Sequence, residues 1–101
     1  MVRIIAVLSM VIPGAAMIFS SDEFLNIPSV TLNNGVKMPM VGLGTWEYNT
    51  STAFEASLKA LKAGYVHIDT AQIYDNQKGV GYAIREFQNG GGDRRDFFIT
   101  T

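Results

Sequence analysis

The chain has 101 residues, of which 48% are apolar and 17% charged, with a net charge of -1 and no cysteine. That composition suits a folded globular protein and gives no electrostatic reason to expect nucleic acid as a partner. It excludes disulfides, thiolate catalysis and cysteine-ligated zinc, but leaves the compartment open, because exported proteins can also lack cysteine.

Arg3 precedes a nearly unbroken apolar run from Ile4 to Phe19, interrupted by Pro13-Gly14, with small residues Gly14 and Ala16 at a spacing that signal peptidase accepts. Residues 1–20 therefore read as a secretory signal peptide, ahead of a folded region over 21–101. A barrel-plugging extension or a misplaced translation start are the alternatives. The run is shorter than the roughly 20 residues of a spanning helix, so no membrane contact is expected once a leader is removed. The expected localisation is the secretory route, with the cytoplasm as the alternative. Asn49-Thr50-Ser51 is a glycosylation triplet, a pattern common by chance.

After the polar joint Ser20-Ser21-Asp22-Glu23, Val30-Thr31-Leu32 and Val36-Lys37-Met38 flank Asn33-Asn34-Gly35, the signature of a hairpin turn. Pro39 ends that pairing, and Val41 to Gly44 reads as a strand. Thr52 with Glu55 suggests a capping box, Phe54, Leu58 and Leu61 recur at helical spacing, and Gly64 suits a helix C-terminus. These signals predict a helix over 53–63. A second strand over 66–69 follows, and Val80, Ala83, Ile84 and Phe87 mark the buried face of a second helix. Residues 89–93 form a glycine-rich loop, and 97–100 a third strand. The strand, helix, strand, helix, strand rhythm is that of a parallel α/β sheet, wound either as a barrel or as a doubly wound sheet.

In such folds active sites form at the C-terminal ends of strands. The run Gly64-Tyr65-Val66-His67-Ile68-Asp69-Thr70-Ala71-Gln72-Ile73-Tyr74-Asp75-Asn76 places a carboxylate and a phenol five residues apart at such an end, which suits proton transfer to a carbonyl or from an alcohol. Gly42-x-Gly44 does not make a dinucleotide fingerprint. Glu47 stands at the third glycine position, and the expected helix cap comes only at Thr52.

This run resembles the N-terminal part of an aldo-keto reductase when it is read with Gly42-Leu43-Gly44-Thr45-Trp46 before it and Phe97-Phe98-Ile99-Thr100-Thr101 after it. The resemblance extends from about Val30 to Thr101. It implies the N-terminal portion of a (β/α)8 TIM barrel with a preceding β-hairpin across its bottom, the barrel incomplete. It also implies NADPH-dependent reduction of aldehydes or ketones to alcohols. On that pattern Tyr74 is the general acid and Asp69 supports the catalytic cluster and the cofactor. Gly44, Thr45 and Trp46 lie beside the nicotinamide, and Trp46, Ile73 and Tyr74 line the pocket of a small carbonyl substrate. The family usually has Asn-Glu where this chain has Asn76-Gln77, which removes a charge from the start of the second helix.

A complete barrel takes roughly 250 residues, so 101 residues supply two βα units and the beginning of a third strand. The resemblance places a catalytic lysine directly after the Phe-Ile-Thr-Thr segment and a catalytic histidine on a later strand. An ordinary phenol titrates near ~10, and a neighbouring ammonium is what favours its ionised form. The expectation is therefore that the 101-residue polypeptide alone is inactive. Two other readings remain. His67-x-Asp69 could begin a metal site in a barrel hydrolase, although such a site needs about three protein ligands. Alternatively, the short chain is a non-catalytic truncated product or an interaction module. His67 itself reads as a hydrogen-bonded structural residue.

Overall fold

The computed structural model describes residues 26–101 and, upstream, two short strands, β1 (Met10–Ile12) and β2 (Ala15–Met17), which pair antiparallel. The signal-peptide reading of residues 1–20 otherwise falls outside the described residues. The predicted hairpin forms from β3 (Ser29–Thr31) and β4 (Lys37–Pro39), with Val30 opposite Met38. Gly35 takes a φ of 83° in its turn, a conformation that only glycine adopts at no steric cost. Pro39 is the last paired residue of β4.

Strand β5 (Leu43–Gly44) leads into helix α1 (Thr50–Lys62). The helix begins three residues before the start that Thr52 and Glu55 suggested. Its cap is Asn49, whose Oδ1 accepts from the Thr52 amide at 2.8 Å. Thr52 is thus the donor that the cap satisfies. Asparagine and threonine are both good caps, and the earlier one prevails here. At the other end Gly64, with φ of 96°, donates to the Leu61 carbonyl, and Tyr65 donates to the Ala60 carbonyl. That paired reversal terminates the helix where the glycine predicted it.

Strand β6 (His67–Asp69), helix α2 (Gln77–Asn89) and strand β7 (Phe98–Thr100) complete the described chain, and β5, β6 and β7 form one parallel sheet in that order. The sheet has three strands and no closed barrel. Alternation turns Ile68 to the helix side and His67 and Asp69 to the other. Ile68 is buried with Ala53 and Leu61 of α1, Val80 of α2 and Phe97 before β7, and this cluster is the core. The two helices approach closely at Gly79, where an added Cβ would lie 2.1 Å from the Thr50 carbonyl oxygen. No side chain fits there without moving a helix.

The glycine run after α2 is a hydrogen-bonded helix end. Gly91 has a φ of 103°, Gly92 donates to the Phe87 carbonyl, and the Phe87 ring packs where a Gly92 side chain would stand. A single 3₁₀ turn over Arg94–Asp96, which no sequence signal announced, leads into β7. Hydrogen bonds from Arg95 hold the Asp93 carboxyl well below the usual carboxylate range.

Candidate active site

Parallel pairing sets Gly44 level with Asp69, and Asp69 level with Thr100, so three strand ends finish at one edge. Two short turns leave that edge. In the first, the Tyr48 amide donates to the Thr45 carbonyl, enclosing Trp46 and Glu47. In the second, a 3₁₀ turn over Gln72–Tyr74 closes when Asp75 donates to the Gln72 carbonyl. Glu47 has a φ of 64° and Asp75 a φ of 53°, and no other non-glycine residue among those described is left-handed. Each follows directly on a predicted site residue, Trp46 or Tyr74. Left-handed backbone costs a non-glycine residue roughly 1–2 kcal/mol, and such strain concentrates at functional sites.

Beneath the turns lies a buried polar cluster. Thr45 hangs from the end of β6, with its amide and its hydroxyl both donating to the Asp69 carbonyl at 3.1 Å. Asn76 Nδ2 donates to the Thr45 carbonyl at 2.6 Å and to the Tyr48 carbonyl at 2.9 Å. Its Oδ1 accepts from the Thr70 hydroxyl at 3.3 Å and, more weakly, from the Thr45 hydroxyl at 3.5 Å. Above this cluster Trp46 and Ile73 stand in solvent, Asp69 is exposed, and Tyr74 is partly covered. Gly44 faces open space, since a Cβ there would meet nothing within 4 Å.

The residues 40–101 match the aldo/keto reductase family model. The chain belongs to the aldo/keto reductase family. It is similar to the glycerol 2-dehydrogenase (NADP(+)) of Saccharomyces cerevisiae, with 47% identity over 72 residues, covering 71% of this chain and 22% of that protein. The morphine 6-dehydrogenase of Pseudomonas putida is 45% identical over 74 residues, covering 73% of this chain and 24% of that one. Among solved structures, an aldo/keto reductase from Brucella melitensis superposes with a TM-score of 0.65 at 46% identity, covering 72% of this chain and 27% of that chain. The chain thus spans about a quarter or less of the curated relatives named here, and its partial sheet is the corresponding part of an aldo/keto reductase barrel.

Within that family frame, the structure gathers Gly44, Thr45, Trp46, Asp69, Ile73 and Tyr74 at one end of the sheet. Two further residues matter here that the sequence did not single out as part of the site. Gly42, just before β5, is required by close packing against β6, because a Cβ there would lie 2.8 Å from the His67 carbonyl oxygen and 2.9 Å from its ring. The other is the residue after Tyr74-Asp75. Asn76 is fully buried and links both turns, and Thr70, 4% exposed, joins it. The signal that could have found Asn76 is an asparagine at a helix start directly after a phenol and an acid, a position where a side chain serves either the helix or the loop before it.

His67 reaches this edge only through Thr100. Its Nδ1 contacts the Pro39 carbonyl at 2.8 Å and its Nε2 contacts the Thr100 hydroxyl at 2.8 Å. A carbonyl only accepts, so Nδ1 carries the proton, and in the neutral ring Nε2 accepts from Thr100. The ring ties the hairpin to the sheet through both nitrogens, and it is the family match that removes the footing of the hydrolase alternative. A cleft of about 520 Å³ lined by Lys37, Val66, Arg94 and Phe98 lies at the N-terminal ends of the strands, away from Tyr74.

Proposed function

We propose that this chain is the N-terminal part of an NADPH-dependent reductase that converts aldehydes or ketones to alcohols. The observation that carries the reading is the joint placement of Asp69, Tyr74 and Trp46 at one strand edge of an aldo/keto reductase sheet. The residues present fit a nicotinamide. Gly44 leaves open space at the strand end, and Trp46 offers an exposed aromatic face beside it. NADPH, when bound there, supplies the hydride. The chain's own contribution is to hold the carbonyl between Trp46 and Ile73 and to deliver a proton to its oxygen from the Tyr74 hydroxyl. Donation at that atom as the carbonyl gains negative charge is general acid catalysis, worth on the order of 10²–10⁴ in rate. The exposed Asp69 carboxylate supports the cluster by attracting the cation that assists the phenol.

The preference for NADPH is supported by similarity to the yeast glycerol 2-dehydrogenase, whose name specifies NADP(+). Export through residues 1–20 remains part of the proposal, tested by whether that segment directs a reporter to the medium. The 101-residue polypeptide alone is inactive on this reading, because none of its residues supplies the lysine and histidine of the family pattern.

The decisive experiment grafts residues 40–101 into the corresponding part of the yeast glycerol 2-dehydrogenase and follows NADPH oxidation with a small aldehyde. The chimera is expected to turn over, and Tyr74→Phe within it to lose about 10²-fold or more. An active chimera indifferent to Tyr74→Phe would exclude the phenol as the acid. NADPH-dependent reduction by the ungrafted 101-residue chain would overturn its predicted inactivity.

A further inference from the structure

We propose that Asn76 is a positioning residue whose carboxamide fixes the Trp46 turn relative to the Tyr74 turn. What the space between those turns binds rests on the reductase reading; the coupling between them rests on geometry alone. Asn76 occupies the N-cap position of α2, where an asparagine ordinarily accepts from a helix amide, yet its side chain makes no such bond. It is fully buried and turned away from the helix. The two hydrogens on Nδ2 reach the Thr45 and Tyr48 carbonyls, the two ends of the turn that carries Trp46 and the left-handed Glu47. Oδ1 accepts from Thr70, which follows Asp69 on the path to Tyr74, and the Asn76 backbone continues directly from the left-handed Asp75.

Strained turns persist only where their surroundings over-determine them. Asn76 is the one described side chain that bonds to the first turn at both ends and to the segment leading into the second. A residue that gives up a local stabilising role while satisfying every polar atom elsewhere is the expected mark of a supporting residue at a site. The donors are essential to the arrangement. The two carbonyls are bridged here by the two N–H bonds of one nitrogen, which a neutral carboxamide supplies and a carboxylate does not.

Trp46 is the single tryptophan of the chain, so its time-resolved fluorescence anisotropy reports on the first turn. In the full 101-residue chain, Asn76→Ala is expected to enlarge the fast component of that decay. Exchange of the Tyr48 amide, which closes the turn onto Thr45, should accelerate on the order of tenfold, the scale of one lost buried hydrogen bond. Val80→Ala, on the same helix but outside the cluster, should weaken the core and leave Trp46 unchanged. Asn76→Asp adds a signature that general destabilisation does not produce. The carboxylate faces two carbonyls without a proton to give, so Trp46 is released at neutral pH and regains order as acid restores a donor. Should Asn76→Ala fail to fold, Thr70→Val removes a single bond and is expected to release Trp46 in the same direction by a smaller amount. Equal Trp46 motion in the parent chain and Asn76→Ala, or in the parent chain and Thr70→Val where Asn76→Ala does not fold, overturns the proposal. So does equal release by Val80→Ala. None of these readouts involves cofactor or substrate, so their failure is separate from a failure of the chimera to reduce aldehydes.

Discussion

Trp46 and Ile73 are 69% and 89% exposed, whereas Thr45, Thr70 and Asn76, their near neighbours in the chain, are 0%, 4% and 0% exposed. The usual distribution is inverted at this end of the molecule, with the large apolar side chains outside and the polar ones within. The buried groups are tolerated because they satisfy one another and the loop carbonyls. On the reductase reading, the exposed groups are the ones that meet cofactor and substrate. The buried Thr45, Thr70 and Asn76 flank the exposed Trp46 and Ile73 along the same two segments, as a foundation under a contact surface.

Perturbing what lies beneath the foundation should have the largest effect. Ile68→Ala opens the core under the cluster and is expected to cost about 2–5 kcal/mol, read from denaturant unfolding. Thr45→Val strikes the foundation itself. It removes the hydroxyl bonds to Asp69 and Asn76 while keeping the shape, and should cost about 1 kcal/mol by the same measurement. Glu47→Gly has the opposite sign, because it relieves left-handed backbone while adding unfolded-state freedom. A net gain below about 1 kcal/mol is expected, together with faster local amide exchange. Trp46→Ala should change stability least, by no more than about 0.5 kcal/mol. In the chimera, however, it should raise the KM for the carbonyl substrate. A large stability loss from Trp46→Ala, or none from Thr45→Val, would erase the distinction between the two layers.

Much of the fold was legible because its signals are local. The Asn34-Gly35 turn, the reversal at Gly64 and the buried stripe of Val80 and Ala83 each follow from backbone or periodicity rules that act over a few residues. The start of α1 was misplaced because Asn49 and Thr52 are both competent caps, and the loop before them decides between them. At the site, Asp69 and Tyr74 were singled out by their place after a strand, and Trp46 and Ile73 through the family resemblance. The buried Thr70 and Asn76 were not, because their roles depend on partners up to 31 residues away. Glu47 shows the same limit. The sequence marked it as the residue that spoils a glycine pattern, and the structure shows it in a conformation that glycine prefers.

The contact between Gly79 and the Thr50 carbonyl has a consequence for the mouth of the site. Thr50 begins the helix that follows the tryptophan turn, and Gly79 lies in the first turn of the helix that follows the tyrosine turn. The gauge between the two walls is therefore set by a missing methyl group. A larger residue at 79 would act as a shim, prising apart two surfaces whose own side chains had not been altered.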